Sequence, residues 1–152
     1  MMKKIAIICC LTLILLSCNK DNNDNSNDSW SFTWTHENVI HMATEAAAYI
    51  TQAGVGMGSN QIIANIGTPG AQPRVSILLT SLNPDTYPVS VNTNRFDYVD
   101  DAGNDLRGAA GTVTISANSG NKLSGDFSVK LINPSSDTTM ITGSFTDINV
   151  HP

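Results

Sequence analysis

Alternation of apolar and polar residues is the clearest pattern along this chain, and it predicts β-strands. Residues 30–35 place Trp30, Phe32 and Trp34 at every second position, with Ser and Thr between them. Strand side chains point alternately to two faces, so this pattern is typical of an antiparallel strand with one face in the core. We therefore predict that the three aromatic rings form a wall of the core. The alternative is an exposed platform for stacking sugars.

The same alternation recurs downstream. Val75, Ile77 and Leu79 are separated by Ser76 and Leu78, which places the first three on one face. Turn residues such as Gly, Pro, Asn and Asp separate the apolar segments. The predicted strands are residues 30–35, 39–51, 61–66, 74–80, 86–91, 95–99, 111–116, 123–131 and 138–150.

Three local features refine this prediction. Residues 43–51 combine helix-favouring alanines with strand-favouring residues, so a short helix is the alternative there. Pro88 cannot donate a backbone hydrogen bond, so its strand should lie at a sheet edge. We expect a β-bulge near Gly143 or Asp147 in the last strand, which would change the face on which Ile148 and Val150 lie.

Together these segments indicate an all-β fold. We predict that residues 30–152 form a single domain, an antiparallel β-sandwich of about eight strands with little helix. A small up-and-down or lipocalin-like β-barrel is the alternative.

The N-terminus carries a secretory leader. Lys3 and Lys4 precede an apolar run, residues 5–16, that is broken only by Thr12. A membrane-spanning helix needs about 20 apolar residues. The run has twelve, so we expect residues 1–17 to be removed as a signal peptide.

The end of that leader resembles the bacterial lipobox. Leu15, Leu16 and Ser17 precede Cys18, and an ordinary signal peptidase prefers a small residue where bulky Leu15 stands. The resemblance implies that Cys18 is lipidated on its sulfur, becomes the first residue and carries two or three acyl chains of the palmitate type. One acyl chain binds a membrane only marginally, whereas two or three give a stable anchor.

Residues 18–29 then form the lipidated cysteine and a polar tether. Residues 19–29 contain no apolar side chain and include Asp21, Asp24 and Asp28, so we expect a flexible segment. The acidic run resembles the export signals that direct lipoproteins of Bacteroidota to the outer face of the outer membrane. A plain spacer is the alternative.

Charge and cysteine content exclude several classes of function. The chain has 13 acidic and 8 basic residues, and loss of Lys3 and Lys4 with the leader makes the net charge of −5 more negative by two. Nucleic acids and anionic head groups bind clustered cations, so we predict no nucleic-acid partner. With Cys9 and Cys10 removed and Cys18 lipidated, the domain keeps no thiol for a disulfide or for catalysis.

Three C-terminal segments are similar to an uncharacterised domain family of Bacteroidota lipoproteins. They are residues 111–115 (GTVTI), 123–129 (LSGDFSV) and 142–148 (TGSFTDI). The resemblance implies three successive antiparallel strands and a compact β-fold, and it implies no catalytic residues.

Residues 97–105 offer the clearest candidate for a metal. Asp97, Asp100, Asp101 and Asp105 surround a glycine-containing turn, and calcium prefers clustered oxygen ligands. Their spacing departs from the EF-hand pattern, and Asp, Asn and Gly also favour turns without any ion. We therefore predict no metal and no cofactor, with these four acids as the weak calcium candidates.

The histidines do not indicate an active site. His36, His41 and His151 lie in none of the common hydrolase motifs. On a continuous strand His36 and His41 would face opposite sides, which argues against a shared zinc ion. We expect both on polar faces.

No motif assigns a reaction to this chain. We expect a non-enzymatic lipoprotein, anchored to the outer membrane through Cys18 and exposed at the cell surface, that binds a glycan, a peptide or an envelope protein partner. A structural or accessory subunit of an envelope assembly is the first alternative. A hydrolase, whose paired carboxylates only the fold would reveal, is the second.

Overall fold

The computed structural model describes residues 29–50, 60–68 and 70–152. The leader at residues 1–17, the lipidation residue Cys18 and the tether up to residue 28 lie outside the described residues, as do residues 51–59 and 69. In the described part, no helix is long and apolar enough to span a bilayer.

The described residues confirm the all-β class, since every regular element among them is a strand. The ten strands are β1 (Ser31–His36), β2 (Val39–Met42), β3 (Glu45–Ile50), β4 (Asn60–Asn65), β5 (Arg74–Leu79), β6 (Asp85–Pro88), β7 (Arg95–Val99), β8 (Asp105–Ser119), β9 (Lys122–Ile132) and β10 (Thr138–His151).

Seven of these strands pair in a closed ring. The order is β3, β4, β5, β7, β8, β9 and β10, and the end of β10 pairs back to β3. The first half of β10 pairs with β1, which carries β2 on its outer side. The pairing is antiparallel except between β10 and β3, where Asn149–His151 runs parallel to Ala47–Tyr49. The expectation of purely antiparallel pairing is wrong at that contact.

One hydrophobic core fills the space between the strands. Phe32 stacks on Phe145 with ring centroids 5.5 Å apart, and Phe96 lies 5.1 Å from Phe127. Phe32 and Trp34 are almost fully buried, which confirms that the first strand forms a wall of the core. Burial of side chains this large is the main stabilising term for a domain without disulfides.

Several local predictions are also confirmed. β8, β9 and β10 are successive antiparallel strands, and β6, which ends at Pro88, lies at an edge of the sheet. The register of β10 shifts between Phe145 and Ile148, where Asp147 has a φ of 53°. The bulge is therefore at Asp147 and not at Gly143. Residues 45–50 form a strand and not a helix.

Close packing makes Gly125 a sensitive position. A Cβ added there would meet the Thr114 carbonyl oxygen and would lie 2.6 Å from Cζ of Phe145. We expect Gly125→Ala to lower the free energy of unfolding by about 2–3 kcal/mol, because the added methyl group would displace both the backbone at Thr114 and the ring of Phe145. Urea unfolding followed by tryptophan fluorescence measures the loss.

The control is Gly120→Asn. Gly120 has a φ of 59° and nothing within 4 Å of an added Cβ, and Asn tolerates this left-handed conformation. An equal loss in both variants would contradict the packing argument.

Candidate binding groove on the outer sheet face

An open groove of ≈ 560 Å³ lies on the outer face of β3, β4, β5, β7 and β8. Along β3, β4, β5 and β7 its lining residues occupy every second position. Ser76, for example, lines the groove, while Val75 and Ile77 are fully buried. Because core side chains fill the interior, this outer face is where the sheet offers space to a ligand.

Strand register arranges the lining in rows that cross five strands. One row runs through Glu45, Asn65, Arg74, Val99 and Asp105. The adjacent row runs through Ala47, Ile63, Ser76, Asp97 and Arg107. A ligand lying across the strands would therefore meet charged, amide and apolar side chains in a fixed order.

All three arginines of the chain line this groove. Arg74 lies on β5, Arg95 on β7 and Arg107 on β8. The two lysines of the described residues, Lys122 and Lys130, lie on β9 and do not line it. The groove thus gathers the guanidinium groups of an otherwise acidic chain.

The three arginines differ in their partners. Nε of Arg95 donates a hydrogen bond to Oδ2 of Asp97 over 2.6 Å. No ion pair or hydrogen bond joins the guanidinium of Arg74 or of Arg107 to another described residue. Two of the three guanidinium groups are therefore available to a ligand.

An aromatic pair lies at one end of the groove. Tyr49 lines the groove with 41% of its surface exposed. Its ring stacks on His151 with centroids 5.4 Å apart and planes 26° from parallel. Gln61, directly opposite Tyr49 on β4, donates a hydrogen bond to Ser76 Oγ over 3.1 Å. An exposed aromatic ring thus lies beside ordered polar groups.

The four calcium candidates do not form one cluster. Asp97 and Asp105 line the groove, whereas Asp100 and Asp101 lie in the β7–β8 turn beside a second, smaller pocket of ≈ 170 Å³. Within the described ranges, no three His, Cys, Asp or Glu side chains are grouped so that they could hold a metal ion.

Asp100 instead orders its own turn. Its carboxylate accepts hydrogen bonds from the backbone N–H groups of Ala102 and Asn104 and from the Asn104 side chain. Partial burial raises the pKa of Asp100, but these hydrogen bonds, with a smaller contribution from His36, outweigh burial and lower it overall.

The expected positions of His36 and His41 are wrong. The chain reverses at Glu37 and Asn38, which have positive φ, so β1 and β2 form a hairpin, and the opposite-face argument for a continuous strand does not apply. Both histidines are only 7% exposed and line the smaller pocket together. His41 stacks on Trp34 and lies 3.9 Å from Asp101.

Three buried polar atoms near this pocket have no hydrogen-bond partner among the described residues. They are Nε1 of Trp34, Nε2 of His36 and the hydroxyl of Tyr98. Burial raises the pKa of Tyr98, and the carboxylates of Asp101 and Asp100 add to the rise. Its hydroxyl therefore stays neutral at physiological pH. Water ordinarily satisfies buried groups of this kind, and we assign them no ligand.

Sequence reasoning missed the arginine groove. It found no cationic patch, because Arg74, Arg95 and Arg107 are far apart along the chain. A usable signal was strand parity, since Arg74 alternates with the apolar residues of β5 and Arg95 with those of β7. Parity places each arginine outside, but only the pairing of β5, β7 and β8 brings them together.

The Asp100 turn generates a pH-dependent prediction. A carboxylate whose pKa is lowered by folding stabilises the fold above its unfolded pKa, and the contribution is lost as pH falls through the folded pKa. We expect Asp100→Asn to cost about 1 kcal/mol at pH 7. The difference from the unsubstituted chain should shrink as pH falls below the ordinary aspartate pKa of 3.8 and through the lower pKa of Asp100 in the folded chain.

Urea unfolding at pH 7, 5 and 3 measures this difference. Asp126→Asn, which removes an exposed carboxylate on β9, is the charge-matched control. A constant deficit of Asp100→Asn across this range would contradict the charge-based explanation.

Comparison of the chain with protein-family models, curated proteins and solved structures finds no match.

Proposed function

We propose that this chain is a lipid-anchored binding module of the bacterial cell envelope and that its outer groove binds a glycan. The observation that carries the proposal is Tyr49, an exposed aromatic ring in a groove otherwise rich in hydrogen-bonding groups. The C–H faces of sugars pack on aromatic rings, while their hydroxyls require donors and acceptors nearby.

The architecture supports binding from outside the domain. We take the domain to be a closed barrel and not a pair of separate sheets, because its strand pairing returns to its start through seven strands. A lipocalin-like barrel would bind its ligand inside. Here Phe32, Phe96, Phe127 and Phe145 contact one another across the interior and fill it.

The groove favours binding over hydrolysis. Asp97 and Asp105 lie on adjacent strands and are the carboxylates that a glycosidase would use. Oδ2 of Asp97, however, already accepts a hydrogen bond from Nε of Arg95 over 2.6 Å, so this oxygen is engaged within the protein and is not presented to a glycosidic bond. Cleavage of a bound oligosaccharide during prolonged incubation would overturn this view.

A second role rests on β2. This strand pairs only with β1, and its Val39, Ile40 and Met42 are 53%, 77% and 68% exposed. Free strand edges with apolar side chains are where partner chains add strands. An accessory role in an envelope assembly would therefore depend on β2 as the surface that binds the partner.

The groove proposal predicts the effect of Tyr49→Ala. We expect the chain from residue 18, with Cys18→Ser, to bind oligosaccharides on a glycan array, and Tyr49→Ala to weaken that binding about five- to 150-fold. Loss of one stacking platform accounts for about 1–3 kcal/mol, by analogy with base stacking on aromatic side chains. Calorimetry on the array ligands measures the change.

Two variants serve as controls. Tyr49→Phe keeps the ring and should keep most of the affinity. Met140→Ala removes another half-exposed side chain, from β10 and outside the groove, and should have no effect. A silent array, together with an envelope protein that binds until Ile40→Lys is introduced, would replace the glycan proposal with the accessory role.

The anchor predicts a change of compartment for Cys18→Ser. In a Gram-negative host the unsubstituted chain should be recovered with membranes, and its N-terminal peptide should carry the mass of acyl chains. Cys18→Ser should release the domain into the soluble fraction, because no acyl chain then holds it.

Cys10→Ser, within the leader, is the matched control and should remain in the membrane fraction. A bare thiol at Cys18 in the unsubstituted chain would contradict the anchor.

A further inference from the structure

We infer that the glycan bound by the groove carries isolated carboxylates, as uronic acid residues do, and that Arg74 and Arg107 bind them. This inference rests on the proposed function and names the chemical class of its ligand.

The choice of cation is the first argument. The groove contains arginines and excludes lysines, although the described residues include both. The guanidinium group presents parallel N–H donors that match the two oxygens of a carboxylate, whereas a lysine acts as a point charge. Surface charge keeps a protein soluble, but the acidic side chains of this chain already provide that charge. Solubility therefore does not explain why three arginines lie in one groove.

The second argument is the pattern of pairing. Arg95 is held by Asp97 at 2.6 Å. Arg74 lines the groove at a half-buried position, yet its guanidinium forms no ion pair with a carboxylate of the described residues. A partly desolvated cation without a partner gains most from an incoming carboxylate, because the electrostatic attraction is less screened there.

The third argument limits the charge of the ligand. Glu45 and Asp105 end the row whose centre is Arg74. Each end is two strands away, so its Cα lies about 10 Å from that of Arg74 at a strand spacing of about 4.8 Å. A polyanion crossing the groove would meet these carboxylates on both sides. A chain with spaced carboxylates and neutral sugars between them avoids that repulsion, and its hydroxyls can donate to Glu45 and Asp105.

Uronate hexasaccharides test the inference directly. The probes are alternating glucuronate–N-acetylglucosamine, in which a neutral sugar separates the carboxylates, and oligogalacturonate and alternating mannuronate–guluronate, which carry a carboxylate on every sugar. Each has a counterpart whose carboxylates are reduced to primary alcohols. We expect the glucuronate–N-acetylglucosamine acid to bind at least tenfold more tightly than its reduced counterpart in calorimetry, and tighter binding of the two fully charged chains would contradict the spacing argument.

Substitutions then locate the carboxylate. Arg74→Gln and Arg107→Gln should each weaken binding of the acid form at least tenfold and should weaken binding of the reduced form much less. Arg74→Lys should recover only part of the affinity, because the charge returns without the paired donors. Lys130→Gln removes a cation from β9, outside the groove, and should bind like the unsubstituted chain. If Arg74→Gln fails to fold, Arg107→Gln, at an exposed position, supplies the same comparison.

The outcomes separate this inference from the proposed function. If neutral glycans bind as well as acidic ones, or if binding of the acid form survives both Gln substitutions, the inference that the ligand carries carboxylates is wrong. The proposed glycan-binding function would still hold. Binding of a carboxylate-ended peptide and of no glycan would overturn both.

Discussion

The extra residue at Asp147 is the constraint on which the closed ring depends. Before it, residues 141–146 of β10 pair with β1, and after it, residues 149–151 pair with β3. β9 pairs with β10 on both sides of the bulge. The backbone N–H of Asp147 donates to Ser124 Oγ over 3.0 Å, which holds the bulge against β9. One strand can thus exchange partners on one side without losing its partner on the other.

The bulge is one of several features of this fold that local sequence patterns predict. Phe145 and Ile148 are both buried although three residues apart, and a strict alternation cannot place both inside. That conflict is visible in the sequence, as are the edge position of Pro88 and the hairpin from β8 to β9. Each depends on neighbours a few residues away, where side-chain parity and turn chemistry decide the outcome.

The features that sequence reasoning missed depend on pairs far apart in the chain. The parallel contact of β10 with β3 joins residues about one hundred positions apart, and no local pattern encodes it. His36 follows the alternation of Phe32 and Trp34 on β1 and is buried with them, whereas His41 is buried because the reversal at Glu37 and Asn38 pairs it with Trp34. The arginine groove could not be predicted for a similar reason. Alternation along a strand shows which face a side chain is on, but only strand pairing decides which side chains lie beside it.

The contact between β10 and β3 also determines what surrounds the groove. Because His151 pairs with Tyr49 and stacks on its ring, the backbone that follows leaves the sheet at the rim where a ligand would enter. Residues appended after Pro152 would begin there and compete for that space. A purification tag or fusion partner on this domain therefore belongs ahead of β1.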